Sequence, residues 1–169
     1  MIRKAEIADL EKLQAFARST FADTYGQYNT AANMQHYHDE VFSAVNFKKD
    51  LQSAFVLYYL IEEKENIAGY IKLNLSPEQT DLNDPDSLEL ERIYIAAMAK
   101  GRGLGKRLLQ TAAEVALELQ KDYLWLGVWE QNETAIRFYQ KNGFVPFDTH
   151  VFMLGADSQK DILMKKILN

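Results

Sequence analysis

The stretch Lys100-Gly101-Arg102-Gly103-Leu104-Gly105-Lys106 gathers three glycines and three cations within seven residues. A strand-like run, Leu88-Glu89-Leu90-Glu91-Arg92-Ile93-Tyr94-Ile95, leads into it. A helical pattern leads out, with Leu104, Leu108, Leu109, Ala112, Val115, Ala116 and Leu119 at spacings of three and four. Glycine lets a backbone turn tightly and approach a ligand, because no Cβ intervenes. The first amides of a helix lack internal partners and sit at the positive end of its dipole. A strand, a glycine loop and a helix start therefore build an anion site, and the chemistry predicted is the holding of a phosphate or pyrophosphate. Two familiar loops are excluded. A P-loop needs Ser or Thr after Gly-Lys, and Arg107 follows Gly105-Lys106 here. The dinucleotide fingerprint needs Gly-x-Gly-x-x-Gly, whereas these glycines alternate.

Two carboxylates stand on the strand before that loop. Glu89 and Glu91 alternate among Leu and Ile and so share one face. Such a pair raises each other's pKa or holds a cationic amine; the plainer alternative is pairing with Arg92 or Lys72 on a solvated surface. Further on, Trp125-Leu126-Gly127-Val128-Trp129 reads as a strand leading to Asn132, a good helix N-cap, with Glu133 in the first turn. That helix carries Phe138-Tyr139 and stops at Gly143, placed for a left-handed C-cap.

The elements that position these groups follow from periodicity. Residues 2–7 read as a short strand, and Leu10, Leu13, Phe16, Ala17 and Phe21 mark an amphipathic helix. Two shorter helical patterns fill 30–52. Phe55–Ile61 and Ile67–Leu75 form a hairpin predicted to turn at Glu65-Asn66. Residues 76–86 are an acidic loop, and Phe144–Leu154 and Asp161–Leu168 read as closing strands around a turn at Gly155-Ala156-Asp157-Ser158.

At 169 residues the chain reads as one domain, 1–169, with globular composition of 47% hydrophobic and 25% charged residues. It has no cysteine, which excludes disulfides, thiolate metal sites and a cysteine nucleophile. His36, His38 and His150 are too scattered for a metal site and read as ordinary. A net charge of −5 disfavours nucleic acid and suits a cationic substrate. The N-terminus does not read as a signal peptide and no apolar run reaches the length of a membrane span, so a cytoplasmic location is expected.

The glycine loop resembles the Gln/Arg-x-x-Gly-x-Gly/Ala signature of the GCN5-related N-acetyltransferases (GNAT), with Lys100 at the Gln/Arg position and Gly103 and Gly105 following. The block Asn132 to Phe144 resembles that family's Asn-x-x-Ala-x-x-Phe-Tyr-x-x-x-Gly-Phe, met at every named position. Glu89–Ile95, Trp125–Glu130, the ending Asp161–Lys166 and the early Thr20–Tyr25 look like the bacterial spermidine/spermine N-acetyltransferases of the Pai type. The resemblance implies an α/β fold with a mixed, twisted sheet of about seven strands flanked by helices. It implies acetyl-CoA as co-substrate, no metal, and direct attack by a small amine in a ternary complex. A homodimer is in keeping with the superfamily, while the residues themselves do not report oligomeric state.

The roles follow residue by residue. Lys100, Gly101, Arg102, Gly103, Leu104, Gly105 and Lys106 would hold the CoA pyrophosphate, and the backbone of Ile93, Tyr94 and Ile95 would pair with the pantetheine arm and polarise the thioester carbonyl. Tyr139 would protonate the departing thiolate, against the alternative of an aromatic packed on a buried helix face. Asn132 would cap its helix and touch the pantetheine amide; Lys141 would reach a CoA phosphate or remain a solvated helix lysine. Glu89, Glu91 or a water chain would take the amine proton, with acidic residues of the 20–40 region expected around the acceptor. The rival functions are acetylation of a peptide or protein amine, and a non-catalytic acyl-CoA-binding module.

Overall fold

The computed structural model describes residues 1–154 and 156–168. Its strands are β1 (Ile2–Lys4), β2 (Val56–Glu63), β3 (Asn66–Asn74), β4 (Ser87–Ile95), β5 (Tyr123–Trp129), β6 (Val145–Leu154) and β7 (Asp157–Ile167). Its α-helices are α1 (Leu10–Tyr25), α2 (Ala31–Glu40), α3 (Ala44–Gln52), α4 (Leu104–Glu118) and α5 (Glu133–Lys141). The strands form one mixed sheet in the order β1-β2-β3-β4-β5-β7-β6, in which β4 and β5 are the parallel pair.

Helices cover both faces. The stripe Leu104, Leu108, Leu109, Ala112 and Val115 of α4 packs with Leu88 and Leu90 of β4 and Leu124, Leu126 and Val128 of β5. On the other face Leu13, Ala17 and Phe21 of α1, Met34 of α2 and Phe47 of α3 pack against Tyr58, Leu60 and Tyr70. The sheet thus sorts its strand residues by alternation: β5 sends Leu124, Leu126 and Val128 to one layer and Trp125, Gly127 and Trp129 to the other.

Three expected boundaries move. The first strand ends at Lys4, and Ile7–Asp9 form a 3₁₀ turn. The β2–β3 turn falls at Lys64-Glu65, one residue earlier than expected, because both adopt positive φ (49° and 65°), the requirement of a tight hairpin turn. β7 begins at Asp157, where it pairs with Leu154 of β6, four residues before the expected start. Its first residues are polar and carry no hydrophobic signal. Asp157 and Ser158 therefore belong to the strand, and Gly155 lies outside the described residues.

Candidate active site

The glycine loop closes onto the N-terminus of α4. Gly101 and Gly103 have φ of +76° and +78°, which only glycine adopts without strain, and no heavy atom lies within 4 Å of where a Cβ would stand. Gly103 is the N-cap and offers no side-chain cap, so the amides of Leu104, Gly105 and Lys106 have no acceptor among the described residues, while Arg107 N–H begins the helix by donating to Gly103 O at 3.1 Å. This open, amide-lined surface fits a pyrophosphate. Leu104 contributes only its backbone, since its side chain is buried in the core. A methyl on Gly105 would meet Phe138 at 3.6 Å, ordinary contact, so the packing of α4 beside α5 does not itself demand a glycine here. Lys100 and Lys106 are exposed at the loop, whereas Arg102 is clasped by Glu63 through two bonds of 2.8 Å.

β4 and β5 pair only through Ser87–Tyr123, Leu88–Leu124 and Glu89–Trp125. Beyond Glu89 the two strands part. Ile93, Tyr94 and Ile95 remain paired to β3 on one edge, and their other edge has no strand partner among the described residues. α5 approaches the end of β4, where a Cβ on Gly105 would lie within 4 Å of both Phe138 and Ile95. Asn132 caps α5 by accepting from Ala135 N–H at 3.3 Å. At its other end Gly143 (φ +91°) donates to Gln140 O and Phe144 to Tyr139 O, a left-handed C-cap that fixes the helix's length. Tyr139 is buried edge-on between Phe138 (5.4 Å) and Phe144 (5.8 Å). Burial, reinforced by the neighbouring Tyr25, pushes its phenol well above the ordinary value, so it keeps its proton at neutral pH. Lys141 is exposed in the last turn.

On the α1–α2 side of the sheet lies a cavity of about 290 Å³, whose lining includes Glu89, Glu91, Asp161, Tyr25, Trp125 and Trp129. The two glutamates that alternate in sequence have different surroundings. A β-bulge in β4 pairs Lys72 with Arg92 and then Leu73 with Leu90, leaving Glu91 as the extra residue. The bulge shifts the phase of the strand, so the neighbours Glu91 and Arg92 both face the cavity side. Glu91 accepts from Lys72 Nζ at 2.8 Å and Arg92 Nη2 at 3.1 Å, and Lys72 also meets Asp50 at 2.9 Å. Burial raises the Glu91 carboxyl, but the Arg92 and Lys72 charges outweigh it and lower its pKa to about 2.

Glu89, 2% exposed, meets no cation among the described residues. It accepts from the backbone N–H of Thr80 (2.9 Å), the Thr80 hydroxyl and the Asn74 amide (2.9 Å). The other amide hydrogen of Asn74 goes to Glu91 at 2.7 Å. Burial and the Glu91 charge raise the Glu89 pKa, against the hydrogen bonds of Thr80 and Asn74. The acidic loop serves here as a lid on Glu89. Buried Gln79 donates to Ser87 O (3.1 Å) and accepts from Asp84 N–H (3.1 Å), setting the adjacent Thr80 over the carboxylate.

The 20–40 region lines the cavity with Phe21, Tyr25 and Tyr37, while its acids Asp23, Asp39 and Glu40 are exposed elsewhere. The further acid comes from β7, as Asp161. His150 also joins the wall, with Nδ1 2.7 Å from Asp81 and Nε2 3.7 Å from Asp161. Asp161, His150, Tyr25 and Thr80 escaped the sequence reading because three distant segments meet only through the sheet order; the alternation Trp125-Gly127-Trp129 was the one local sign of a second lined face. No group of three or more His, Cys, Asp or Glu among the described residues is placed to hold a metal ion. No helix among them is long and apolar enough to cross a membrane.

A seven-stranded mixed sheet that parts between its parallel strands, with a glycine-capped helix at the opening, is the architecture of an acyl-group transferase. The Acetyltransferase (GNAT) family profile matches residues 12–144, and the chain belongs to that family. It is 39% identical over 160 residues to an uncharacterised N-acetyltransferase from the pepI 3′ region of Lactobacillus delbrueckii subsp. lactis, covering 95% of this chain and 92% of that one. It is 34% identical over 89 residues to the spermine/spermidine N(1)-acetyltransferase of Bacillus subtilis, covering 52% of this chain and 56% of that protein. Its fold matches the crystal structure of the PaiA N-acetyltransferase of Thermoplasma acidophilum in complex with coenzyme A, with a TM-score of 0.82, 24% identity, and coverage of 99% and 98%.

Proposed function

We propose that this acetyltransferase moves the acetyl group of acetyl-CoA to a primary amine of a polyamine, spermidine or spermine, or of a similar small cationic amine. One observation carries the choice of acceptor: one partly open cavity, lined by aromatic rings, holds Glu89 and Asp161 without a Lys or Arg ion-pair partner among the described residues. Carboxylates in such surroundings attract ammonium groups, and the rings accommodate both methylene chains and cations.

Acetyl-CoA supplies an activated thioester carbonyl. The unpaired amides of Leu104, Gly105 and Lys106, helped by Lys100, bind its pyrophosphate, with Gly101 and Gly103 keeping the approach clear. The free edge of Ile93–Ile95 receives the pantetheine arm, with Asn132 at its side, and Lys141, exposed in the last turn of α5, reaches a CoA phosphate in this reading. Backbone N–H groups of that edge donate to the carbonyl oxygen as it gains charge. Glu89, whose raised pKa makes it a better proton acceptor than an ordinary carboxylate, takes the amine proton directly or through water. Tyr139 returns a proton to the departing thiolate. Glu91 stays ionised beside Arg92 and Lys72 and acts by raising Glu89. A thiol-release assay across polyamines, amino acids, aminoglycosides and peptides tests the reading; turnover confined to peptides would overturn it.

A further inference from the structure

Three carboxylates face the cavity, and the fold neutralises only Glu91. Asp161 has a side chain 14% exposed, no Lys or Arg within ion-pair distance among the described residues, and one basic neighbour, the His150 imidazole at 3.7 Å. Burial raises its pKa. Its carboxylate lies over β5, where a Cβ on Gly127 would stand 3.2 Å from Oδ2; the glycine leaves room for it.

The sheet register sets the spacing of the two uncompensated acids. Glu89 is level with Trp125, and Asp161 with Trp129. Their backbones are four residues apart along β5, about 13 Å at roughly 3.3 Å per residue, and one strand to either side of it; the Asp161 carboxylate leans back over Gly127, so along β5 the acidic groups themselves stand closer than the backbones. Between them runs the wall of Trp125, Gly127, Trp129 and Tyr25. The indole N–H of Trp125 in that wall is buried and has no hydrogen-bond partner among the described residues, which leaves a donor for a lone pair of the bound molecule or its water.

We infer that Asp161 anchors the trailing ammonium of a linear diamine or polyamine whose leading amine is presented at the Glu89 end, so that the separation of the two acids selects chain length. The inference rests on the amine-acceptor reading above and goes further by naming the residue that tells a polyamine from a monoamine. A monoamine reaches only one acid. A diamine with a short spacer leaves the second acid unpaired, and a chain of several methylenes engages both while its carbons lie against the rings.

The test is steady-state kinetics of Asp161→Asn with butylamine, 1,2-diaminoethane, 1,4-diaminobutane and spermidine. The KM for spermidine and the longer diamine should rise about 10- to 100-fold, the scale of a lost charge-assisted hydrogen bond. The KM for butylamine should rise far less, because a monoamine held at Glu89 does not reach Asp161, and the loss should fall in KM rather than in kcat, because Asp161 touches no reacting atom. A second variant, Asp161→Glu, moves the carboxylate inward by one carbon and should shorten the preferred diamine. Unchanged spermidine KM, or an equal loss for butylamine and spermidine, overturns the anchor. A fall in kcat for all amines would make Asp161 part of the chemistry instead, and also overturns it. If Asp161→Asn fails to bind acetyl-CoA, the length preference of Asp161→Glu decides, an unshifted preference overturning the proposal. A wild-type protein that acetylates peptides and none of these amines defeats the acceptor reading itself, and the anchor falls with it.

Discussion

Replacing each cavity glutamate by glutamine should give opposite outcomes, although the two residues sit two positions apart on one strand. Glu91→Gln removes the carboxylate that Arg92 and Lys72 share. Lys72 keeps Asp50, but Arg92, only 8% exposed, is left with the Phe42 ring 4.7 Å away in place of an anion. Breaking a buried pair by removing one partner costs about 3–5 kcal/mol. With roughly 2–4 °C of melting temperature per kcal/mol for a chain of this size, Tm should fall by about 6–20 °C. Glu89→Gln breaks no ion pair. The amide oxygen still accepts from Thr80 and Asn74, and repulsion with Glu91 disappears. Because the folded protein raises the Glu89 pKa, ionising it costs stability as pH rises through that value; glutamine has no such proton to lose, so the variant should melt at or above the wild-type temperature near pH 7. Its turnover should drop by about 100- to 1,000-fold, the loss of a general base. Thermal melts and thiol release on the same preparations check both halves. A stable Glu91→Gln protein together with an active Glu89→Gln protein would refute the assignment, and a stable but inactive Glu91→Gln would transfer the base to Glu91.

Tyr139→Phe keeps the ring and its packing; kcat should fall about 100-fold, with acetyl-CoA affinity by calorimetry unchanged. A folded variant with wild-type turnover would return Tyr139 to the aromatic core. Gly103→Val puts a β-branched residue at φ +78° and a side chain into the open space above the α4 amides; acetyl-CoA should bind at least about tenfold more weakly, with about 1–2 kcal/mol lost in urea melts. Unchanged affinity in the folded variant would remove the pyrophosphate site from this loop. Acid should unfold the protein through Glu91: its folded pKa of about 2 lies below the ordinary value, so it contributes stability above about pH 5, of order 3 kcal/mol, that is lost as pH falls toward 2. A Glu91→Gln protein with the same acid slope as wild type would contradict this. The acid limb of kcat/KM should lie above the ordinary carboxylate range, following the raised pKa of Glu89.

What the sequence discloses is local. Gly103 at a helix start, Asn132 as a cap and Gly143 as a C-cap announce themselves because each is demanded by the backbone within a few residues. The shared face of Glu89 and Glu91 is legible from strand alternation for the same reason. The position of Arg92 is not. Alternation assigns it to the opposite face from Glu91, and only the bulge against Lys72 and Leu73 turns it back. Asp161 and His150 face one another across the β6–β7 hairpin, but their place beside Glu89 is hidden more deeply, because it depends on β7 pairing with β5, a non-local contact with no trace in either segment. The acids expected from 20–40 fail for a related reason: the helix phase that buries Phe21 and turns Tyr25 and Tyr37 inward necessarily leaves Asp23 and Asp39 outside.

The bulge also explains how the same face can hold both a structural ion network and the proposed acceptor site. Lys72 and Arg92 are matched by Asp50 and Glu91, two cations against two anions, so this part of the sheet is electrically closed and asks nothing of a ligand. Glu89 and Asp161 stand outside that balance. A buried carboxylate without a cation is costly to ionise, and both have raised pKa values in consequence. An ammonium entering the cavity supplies the missing charge at each position, so binding a polyamine and ionising the two acids favour one another. The occupied cavity would then hold its base ionised while bringing the amine to it. An uncharged acceptor would gain neither effect, and the cost of ionising the two acids discriminates against it even where its shape fits.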